Sequence, residues 1–531
     1  MKGYLLRRVL FSIFSLIVVV MVVMLLVYSL IDRTVIFQTD DTWNKKSNND
    51  RTYYEYVQYQ KFGYLNFVNY TSFVQNKYKG LYGDEYAKNE DFQRDKNAIQ
   101  EASTYLDNPT VQEFKSYYES KGYGMVYLEP IKYTSGKQKG RSKPGGDGYY
   151  MAVIEKSVFT RLWDYASGFI SIDTKNKVKD ENLTDRYVRF EKDPYSGAFA
   201  IVGNGTRHKY LLYFDDRFPW IHQNWISINL GTSFTKYRGE EITDVINKPT
   251  GNIQQKRTQY PAKLGTDEWV DTAIDFHSLT YNSGIVTDTD FANYGSRYTV
   301  YQYRYGGLSK LENSFVIGLI ATIIAYMLGL PLGIWMARKK DGIVDKVGNL
   351  YIIFIMAVPS LAYIFIFANI GTKLFGLPYK FAQAEVKLLA YILPTISLAL
   401  PSVGSLMKWM RRYMIDQMNS DYVKFARAEG LSEHEIFAKH ISRNAMIPIV
   451  HGIPGNILGC LTGAIVTERV YGVEGVGNLL TVAITGHDNG IIVACVVFYT
   501  SLSVISVILG DLLMAKVDPR ISLSSSKGGG R

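Results

Sequence analysis

The sequence is nearly without cysteine: Cys460 and Cys495 are the only two in 531 residues, and both fall inside apolar stretches. The polar part of the chain therefore has no disulfide and must be held by its own core. Histidine is also sparse, with seven residues scattered along the chain. His434-Glu435 opens like a zinc-protease motif, but H-E-x-x-H needs a histidine at 438, where Ala438 stands. No C-x-x-C pair occurs, and no metal is expected. Nucleotide signatures are missing as well. The Gly/Lys-rich run at 135–148 lacks G-x-x-x-x-G-K-[ST] spacing, and the glycines from Gly472 to Gly477 neither form G-x-G-x-x-G nor follow a strand. No catalytic constellation remains, and no cofactor is expected on this chain. Uphill transport would have to draw on an ion gradient or on a separate ATPase.

Long apolar runs are what the sequence does have. Lys2, Arg7 and Arg8 precede an apolar run at 9–31, long enough to cross a hydrocarbon core of roughly 30 Å. A cleaved signal would have a shorter run ending in small residues, whereas Ile31-Asp32-Arg33 follows here. Five more apolar segments lie at 314–337, 350–372, 388–410, 448–467 and 490–515, while 479–484 is too short to cross and reads as interfacial or re-entrant. Six spans bring the C-terminus back to the side of the N-terminus. Arg338, Lys339, Lys340, Arg411, Arg412, Lys424, Arg427, Lys439, Arg443, Lys516 and Arg520 then share the cytoplasmic side, with Lys373, Lys380 and Lys387 as the exceptions. The net charge of +10 is read as this bias, not as a nucleic-acid surface.

Charged groups are rare within these spans: Lys408 lies near one end and Glu468-Arg469 near the other. Ion-coupled carriers usually keep ionisable groups near mid-membrane, so this scarcity argues against one. The polar groups available are mild. Ser360, Asn369, Ser402, Asn456 and Thr462 are the candidate translocation-pathway residues; each also suits a hydrogen bond between helices. Gly455, Gly459 and Gly463 recur every four residues on one helix face, which predicts close helix packing.

Residues 32–310 are polar and hold most of the 41 tyrosines. A helix is predicted near 111–120 and strands near 149–154, 168–172, 198–202 and 209–214. The run at 135–148 reads as a flexible loop. The tyrosines fit either a peptide- or glycan-binding surface or ordinary strand and core positions. The fold class expected is a polytopic α-helical membrane protein of six spans with an inserted α+β extracellular domain. Its parts are residues 1–31, the insertion 32–310, the membrane part 311–516 and a tail 517–531. The Ser/Gly-rich end at 524–531 reads as a disordered tail or a cloning remnant.

Between the fourth and fifth spans lies a polar stretch with legible punctuation. Residues 422–429 read as a short helix, and Gly430 supplies the permissive φ that ends one. Ser432 with Glu435 is a capping-box pattern, so a second helix should start at once. Pro448 fits the opening of the next membrane helix. Such a helix–Gly–helix is shaped to dock against something.

The residues of that stretch carry a resemblance. Asp421-Tyr422-Val423, Ala426-Arg427-Ala428 with Gly430-Leu431-Ser432, and Arg443-Asn444-Ala445 with Ile447-Pro448 resemble the EAA loop of ABC importer permeases. Leu6-Arg7-Arg8, the stretch from Leu230 to Phe234, Pro331-Leu332-Gly333, Glu468 with Val470-Tyr471, Gly475 with Gly477, and Asp518-Pro519-Arg520 extend the likeness to the B-type permeases of oligopeptide and dipeptide importers. The match covers about 1–32 and 308–521 with a short piece near 219–247. Glu429 departs from the basic residue more usual there, and the insertion is far longer than usual. In its size it is similar to the Ami-type permeases of Gram-positive cocci.

The resemblance implies a type I ABC importer fold in which the loop 415–447 is a coupling helix seated on an ATPase. Ala426, Ala428, Glu429, Gly430, Leu431, Ser432 and Glu433 would make that contact, the two alanines by being small. The implied partners are a second homologous permease, two cytoplasmic ATPases that use ATP and Mg, an extracellular lipid-anchored peptide-binding protein, an oligopeptide substrate and membrane lipid. A receptor whose outer domain binds peptide or cell-wall fragments is the alternative from another class.

Overall fold

The computed structural model describes residues 2–30, 32–181, 183–192, 199–214, 221–248, 256–259, 269–272, 279–288, 291–292, 295–300 and 307–517. Helix α1 (Lys2–Leu30) presents apolar side chains on nearly every side. It packs along the last helix, and Arg8 pairs with Asp511 there at 2.7 Å.

The insertion begins with α2 (Asn48–Lys61), β1 (Leu65–Asn69), α3 (Tyr70–Tyr82), α4 (Glu90–Asn97), α5 (Pro109–Glu119), β2 (Gly124–Leu128) and β3 (Tyr149–Glu155). The strands form an antiparallel sheet in the order β1-β3-β2, with helices packed on it. Asparagine caps start α3, α4 and α5: Asn69, Asn89 and Asn108 each accept from a backbone N–H of the first turn. Pro109 takes the first helical position of α5, where its missing N–H costs nothing. The core here is tyrosine-rich. Tyr70, Phe114, Tyr150 and Met151 are buried, and Tyr53 stacks on Tyr149 at 4.4 Å. Buried Asp95 accepts from Thr110 Oγ1 at 2.7 Å, Tyr78 Oη at 2.9 Å and Asn108 Nδ2 at 3.1 Å. Tyr70, Tyr78 and Tyr150 thus serve as core residues, one of the two roles expected for the tyrosines.

The run at 135–148 is not the loose loop its composition suggests. Tyr133 and Arg141 pair through their backbones at 2.9 Å, and Pro144 O accepts from Ser47 Oγ at 3.1 Å and Asn48 Nδ2 at 3.0 Å. Positive φ at Gly136, Gly140 and Gly145 lets the segment fold back on α2.

Next come α6 (Val158–Gly168), β4 (Ile170–Ile172), β5 (Tyr187–Lys192), β6 (Phe199–Asn204), β7 (Tyr210–Phe214), β8 (Ile221–Gln223), β9 (Ile226–Ile228) and α7 (Ile242–Asn247). β5 to β8 form a four-stranded antiparallel sheet, and β4 pairs with β9. The expected strands and the helix near 111–120 all have counterparts in this list.

The membrane part contains α8 (Lys310–Arg338), α9 (Ile343–Ala357), α10 (Ser360–Phe375), α11 (Ile392–Met418), α12 (Asp421–Ala428), α13 (Glu433–Tyr471), α14 (Val476–Thr485) and α15 (Asn489–Val517). Among the described residues, five helical segments are long and apolar enough to cross a membrane: α1, α8, α11 with the turn before it, α13 and α15. The segment expected as one span at 350–372 is broken: α9 and α10 meet at 112° around Val358-Pro359, and the count reaches six if this pair is one span. Proline lacks the N–H that would continue the ladder and pushes its predecessor out of the helical region. Val358 has ψ 129 accordingly. Pro448 does not open a helix. It lies inside α13, which starts at Glu433 and passes through a π-helical turn at Ile436–Ile441.

The predicted packing glycines differ among themselves. A Cβ on Gly459 would meet nothing within 4 Å, and one on Gly455 would make only ordinary contact with Ser506. The surroundings of Gly463 lie outside the described residues, as does the side chain of Thr462. Close approach occurs instead between α8 and α11. A Cβ on Gly329 would sit 2.8 Å from Leu406 Cβ, and one on Gly333 2.8 Å from Met410 Cβ. A bidentate pair, Arg411 to Asp345 at 2.5 and 2.6 Å, ties α11 to α9.

Candidate functional site

Two features of the membrane part stand out, a cleft and the loop between α11 and α13. The cleft holds about 390 Å³ between α8, α10, α11 and α13. Its polar lining is Thr322, Tyr326, Ser360, Tyr363, Ser397, Ser402, Ser405, Asn456 and Thr467, with Gly459 on the wall and no charged group among the described residues. Asn456 Nδ2 donates to Tyr326 Oη at 2.8 Å, and Ser397 and Tyr471 hydroxyls are 2.8 Å apart. A lining of hydroxyls and one amide gives short-lived hydrogen bonds to a passing polar chain without a charge that would hold it.

Of the pathway candidates, Ser360, Ser402 and Asn456 are brought together here. Asn369 is not: it is exposed on α10 and donates to Phe365 O one turn back at 2.9 Å. Thr322, Tyr326, Ser405 and Thr467 were not singled out from the sequence. Spacing held a signal for some of them, because Thr322 and Tyr326 are four apart, as Leu398, Ser402 and Ser405 share one helical face. Gly459 turns toward this cleft, so it does not share the contact that Gly455 makes with Ser506 of α15.

The loop has the predicted local form. α12 ends where Gly430 adopts φ +82, and Ser432 Oγ accepts from Glu435 N at 3.3 Å. Arg427 Nε donates to Glu433 Oε1 at 2.7 Å across the turn, and Lys424 pairs with Asp421 at 2.8 Å, which holds the Asp421 carboxyl below its ordinary value. α12 is amphipathic. Val423 and Ala426 are buried against Ile436 and Ile441, and Leu431 packs on the same cluster. Ala426 therefore faces the protein's own membrane helices, and its small size serves that packing. Ala428, Glu429, Gly430, Ser432 and Glu433 are exposed. Glu429 forms no ion pair among the described residues and leaves its charge in solvent. Phe425, which sequence reading passed over, is 66% exposed on the outward side.

At the opposite end of α13 the structure explains two stretches that had only a resemblance behind them. Glu468 is fully buried and accepts from Ser314 Oγ at 2.6 Å and Asn478 N at 2.8 Å. A Cβ on Gly475 would collide with that carboxylate, and one on Gly477 would sit 2.8 Å from Ile465 Cα and 3.0 Å from Glu468 Oε2, so glycine is required at both. Asp488, also fully buried, accepts from Ser233 Oγ at 2.6 Å, from Phe234 N and Thr235 N at 3.0 Å, and from Ile491 N at 3.1 Å. It caps α15 and clamps the 233–235 turn of the insertion onto the helical part.

From the end of α8 onward, the segment that carries the loop and most of the cleft matches a family model, "Binding-protein-dependent transport system inner membrane component", over residues 329–523. The oligopeptide transport system permease protein AmiC of Streptococcus pneumoniae is 34% identical over 538 aligned positions, covering the whole of both chains. The chain belongs to the oligopeptide permeases of binding-protein-dependent transport systems. This permease is also 31% identical to the dipeptide transport system permease protein DppB of Lactococcus lactis, over 40% of its own length and 70% of that chain. Among solved structures, the MetNI methionine ABC transporter overlaps 39% of this permease and 94% of its own chain, at 12% identity and TM-score 0.33. As in the full-length relative, the match to AmiC runs through the long insertion, which is thus a shared part of these two permeases. It is a multi-pass membrane protein.

Proposed function

We infer that this chain is the permease subunit of an ATP-driven oligopeptide importer, and the observation that carries the reading is the end-to-end match to a named oligopeptide permease. The chain forms half of a translocation path together with a second, homologous permease. The uncharged cleft around Ser360, Ser402 and Asn456 is its share of that path. The exposed turn from Ala428 to Glu433, with Phe425 beside it, docks on one of two cytoplasmic ATPases, which bind ATP and Mg. α12 packs inward through Val423 and Ala426, so a push on the turn is passed to α11 and α13, the walls of the cleft. Basic residues at this end, from Arg338 to Lys340 and at Arg411, Arg412, Lys439 and Arg443, support its cytoplasmic placement. The insertion 32–310 then lies outside, where it meets a lipid-anchored peptide-binding protein or shapes the vestibule.

The test is reconstitution of the complex in vesicles with peptide uptake followed with and without ATP. Uptake should require ATP and survive an ionophore. Uptake that continues without the ATPases, or that collapses with the ion gradient, would overturn the reading. Cysteines placed at Ser432 or Ala428 should crosslink to the ATPase, and silence at both positions would remove the docking assignment.

A further inference from the structure

A second cavity, of about 230 Å³, lies away from the cleft and shares no lining residue with it. Its walls are the last two turns of α1 (Met24, Tyr28), the start of α15 (Gly490, Val493), the turn around Asn229 and Thr232, and one side of α6. From α6 comes Arg161, more than nine-tenths buried. Its guanidinium lies over the ring of Tyr28 at 3.6 Å and that of Tyr64 at 3.9 Å. Nη2 has no hydrogen-bond partner among the described residues. The carboxylate on the same wall, Asp164, is engaged by Lys156 at 2.6 Å. Lys61, exposed at the rim, forms no ion pair among the described residues. A buried cation without a counter-charge is costly, and a guanidinium with a free N–H is shaped for a phosphate or carboxylate oxygen.

The surroundings decide between those two. Met24 lies six residues before the end of α1, about 9 Å below it along the helix axis. The cavity is therefore level with the boundary between hydrocarbon and headgroups. The outer side of α6 carries Phe159 and Trp163, 71% and 73% exposed, and the adjoining β4–β9 pair exposes Ile170, Ile172, Ile226 and Ile228. Apolar and aromatic side chains exposed beside a spanning helix suit the membrane interface. A peptide carboxylate would arrive through the cleft, on other helices.

We propose that the Arg161 cavity holds the phosphodiester of a phospholipid headgroup, with the acyl chains lying along α1 and α15 and beneath Phe159 and Trp163. The Arg161 Nη2 donates to a non-bridging phosphate oxygen, and Lys61 adds charge at the rim. This requires only that α1 and α15 span the bilayer, so its failure would leave the transport reading untouched.

The full chain, purified in detergent and delipidated, would be titrated with dioleoyl phosphatidylglycerol and the bound lipid counted by native mass spectrometry. One lipid should bind more tightly than the rest, and Arg161→Gln should weaken that site about tenfold, the worth of one charge-assisted hydrogen bond. Lys61→Gln should weaken it less, and inorganic phosphate at equal concentration should not displace the lipid. Equal retention by wild type and Arg161→Gln overturns the proposal; so does full displacement by inorganic phosphate, which would mark a free-anion site, or by a peptide, which would mark a substrate site. Should Arg161→Gln not fold, the wild type itself gives the answer through a lipid without a phosphate: dioleoylglycerol at equal concentration should fail to fill the tight site, and retention of dioleoylglycerol equal to that of phosphatidylglycerol would overturn the proposal.

Discussion

Replacing Asp488 by alanine tests how the insertion is fixed to the membrane helices. The carboxylate accepts from two backbone N–H groups, Phe234 and Thr235, from the Ser233 hydroxyl, and from Ile491 N at the start of α15. Asp488 is fully buried, so water does not replace it. Each orphaned buried donor costs about 1–3 kcal/mol, and the two turn amides together about 2–6 kcal/mol. The lost cap on α15 adds about 1 kcal/mol. The hydroxyl of Ser233 can rotate to another acceptor and is left out of the sum. A penalty of this size is a large part of the roughly 5–15 kcal/mol that holds a typical domain together, so the turn should open locally before the whole protein unfolds. Hydrogen exchange read by mass spectrometry on the detergent-solubilised protein gives the outcome directly. Protection at 233–235 should fall by about a hundredfold, the equivalent of some 3 kcal/mol, while β1 keeps its protection. Asp488→Asn, which keeps one acceptor oxygen, should fall between. Alanine with protection within about threefold of wild type would refute the clamp, since that is less than the penalty of a single orphaned amide.

Three further outcomes are expected. Gly430→Ala meets no atom within 4 Å, so its whole effect is the strain of φ +82, about 1–2 kcal/mol; in the reconstituted complex it should reduce peptide-stimulated ATP hydrolysis, whereas Gly459→Ala, equally unhindered but helical, should raise thermal stability by up to about 1 kcal/mol. Gly333→Ala forces Cβ to within 2.9 Å of Met407 O and should cost about 1–3 kcal/mol in a thermal unfolding scan by prying α8 from α11. Burial raises the Asp95 carboxyl, but hydrogen bonds from Thr110, Asn108 and Tyr78 and the Arg94 charge outweigh it and hold it below its ordinary 3.8. Its stabilisation is therefore full above that value and is lost as pH falls through the lower folded value, so proteolysis of the insertion should rise in acid, and Asp95→Asn should already be weakened near neutrality and lack that acid step.

Local signals were legible in the sequence, and relations between distant residues were not. Gly430 and Ser432 could be read because a left-handed turn and a cap are decided within a few residues. The strands at β3 and β7 could be read as short runs of aromatic and apolar residues bounded by turn residues. The roles of Glu468 and Asp488 could not, because their partners Ser314 and Ser233 lie 154 and 255 positions away. The glycines of α13 and those of α8 show the same limit. Both sets repeat every four residues, yet Gly329 and Gly333 are pressed against another helix while Gly455 makes only ordinary contact and Gly459 meets nothing, and spacing alone does not say what stands opposite. Pro448 misled for a related reason. Proline is tolerated inside a membrane helix when neighbouring groups accommodate the lost bond, and those neighbours are tertiary.

The Asp488 clamp also imposes an order on biosynthesis. Its acceptor is made 253 to 255 residues after the donors it serves. At ribosomal speeds that is an interval on the order of 10 to 50 seconds. Throughout it, the amides of Phe234 and Thr235 are bare, and Leu230 and Ile242 lack the Ile491 and Val493 side chains they pack with. The insertion can fold its tyrosine core early, but it cannot seat on the membrane helices until the last of them has been inserted. A nascent chain arrested before α15 would thus display an unlatched turn, the mark of an unfinished permease.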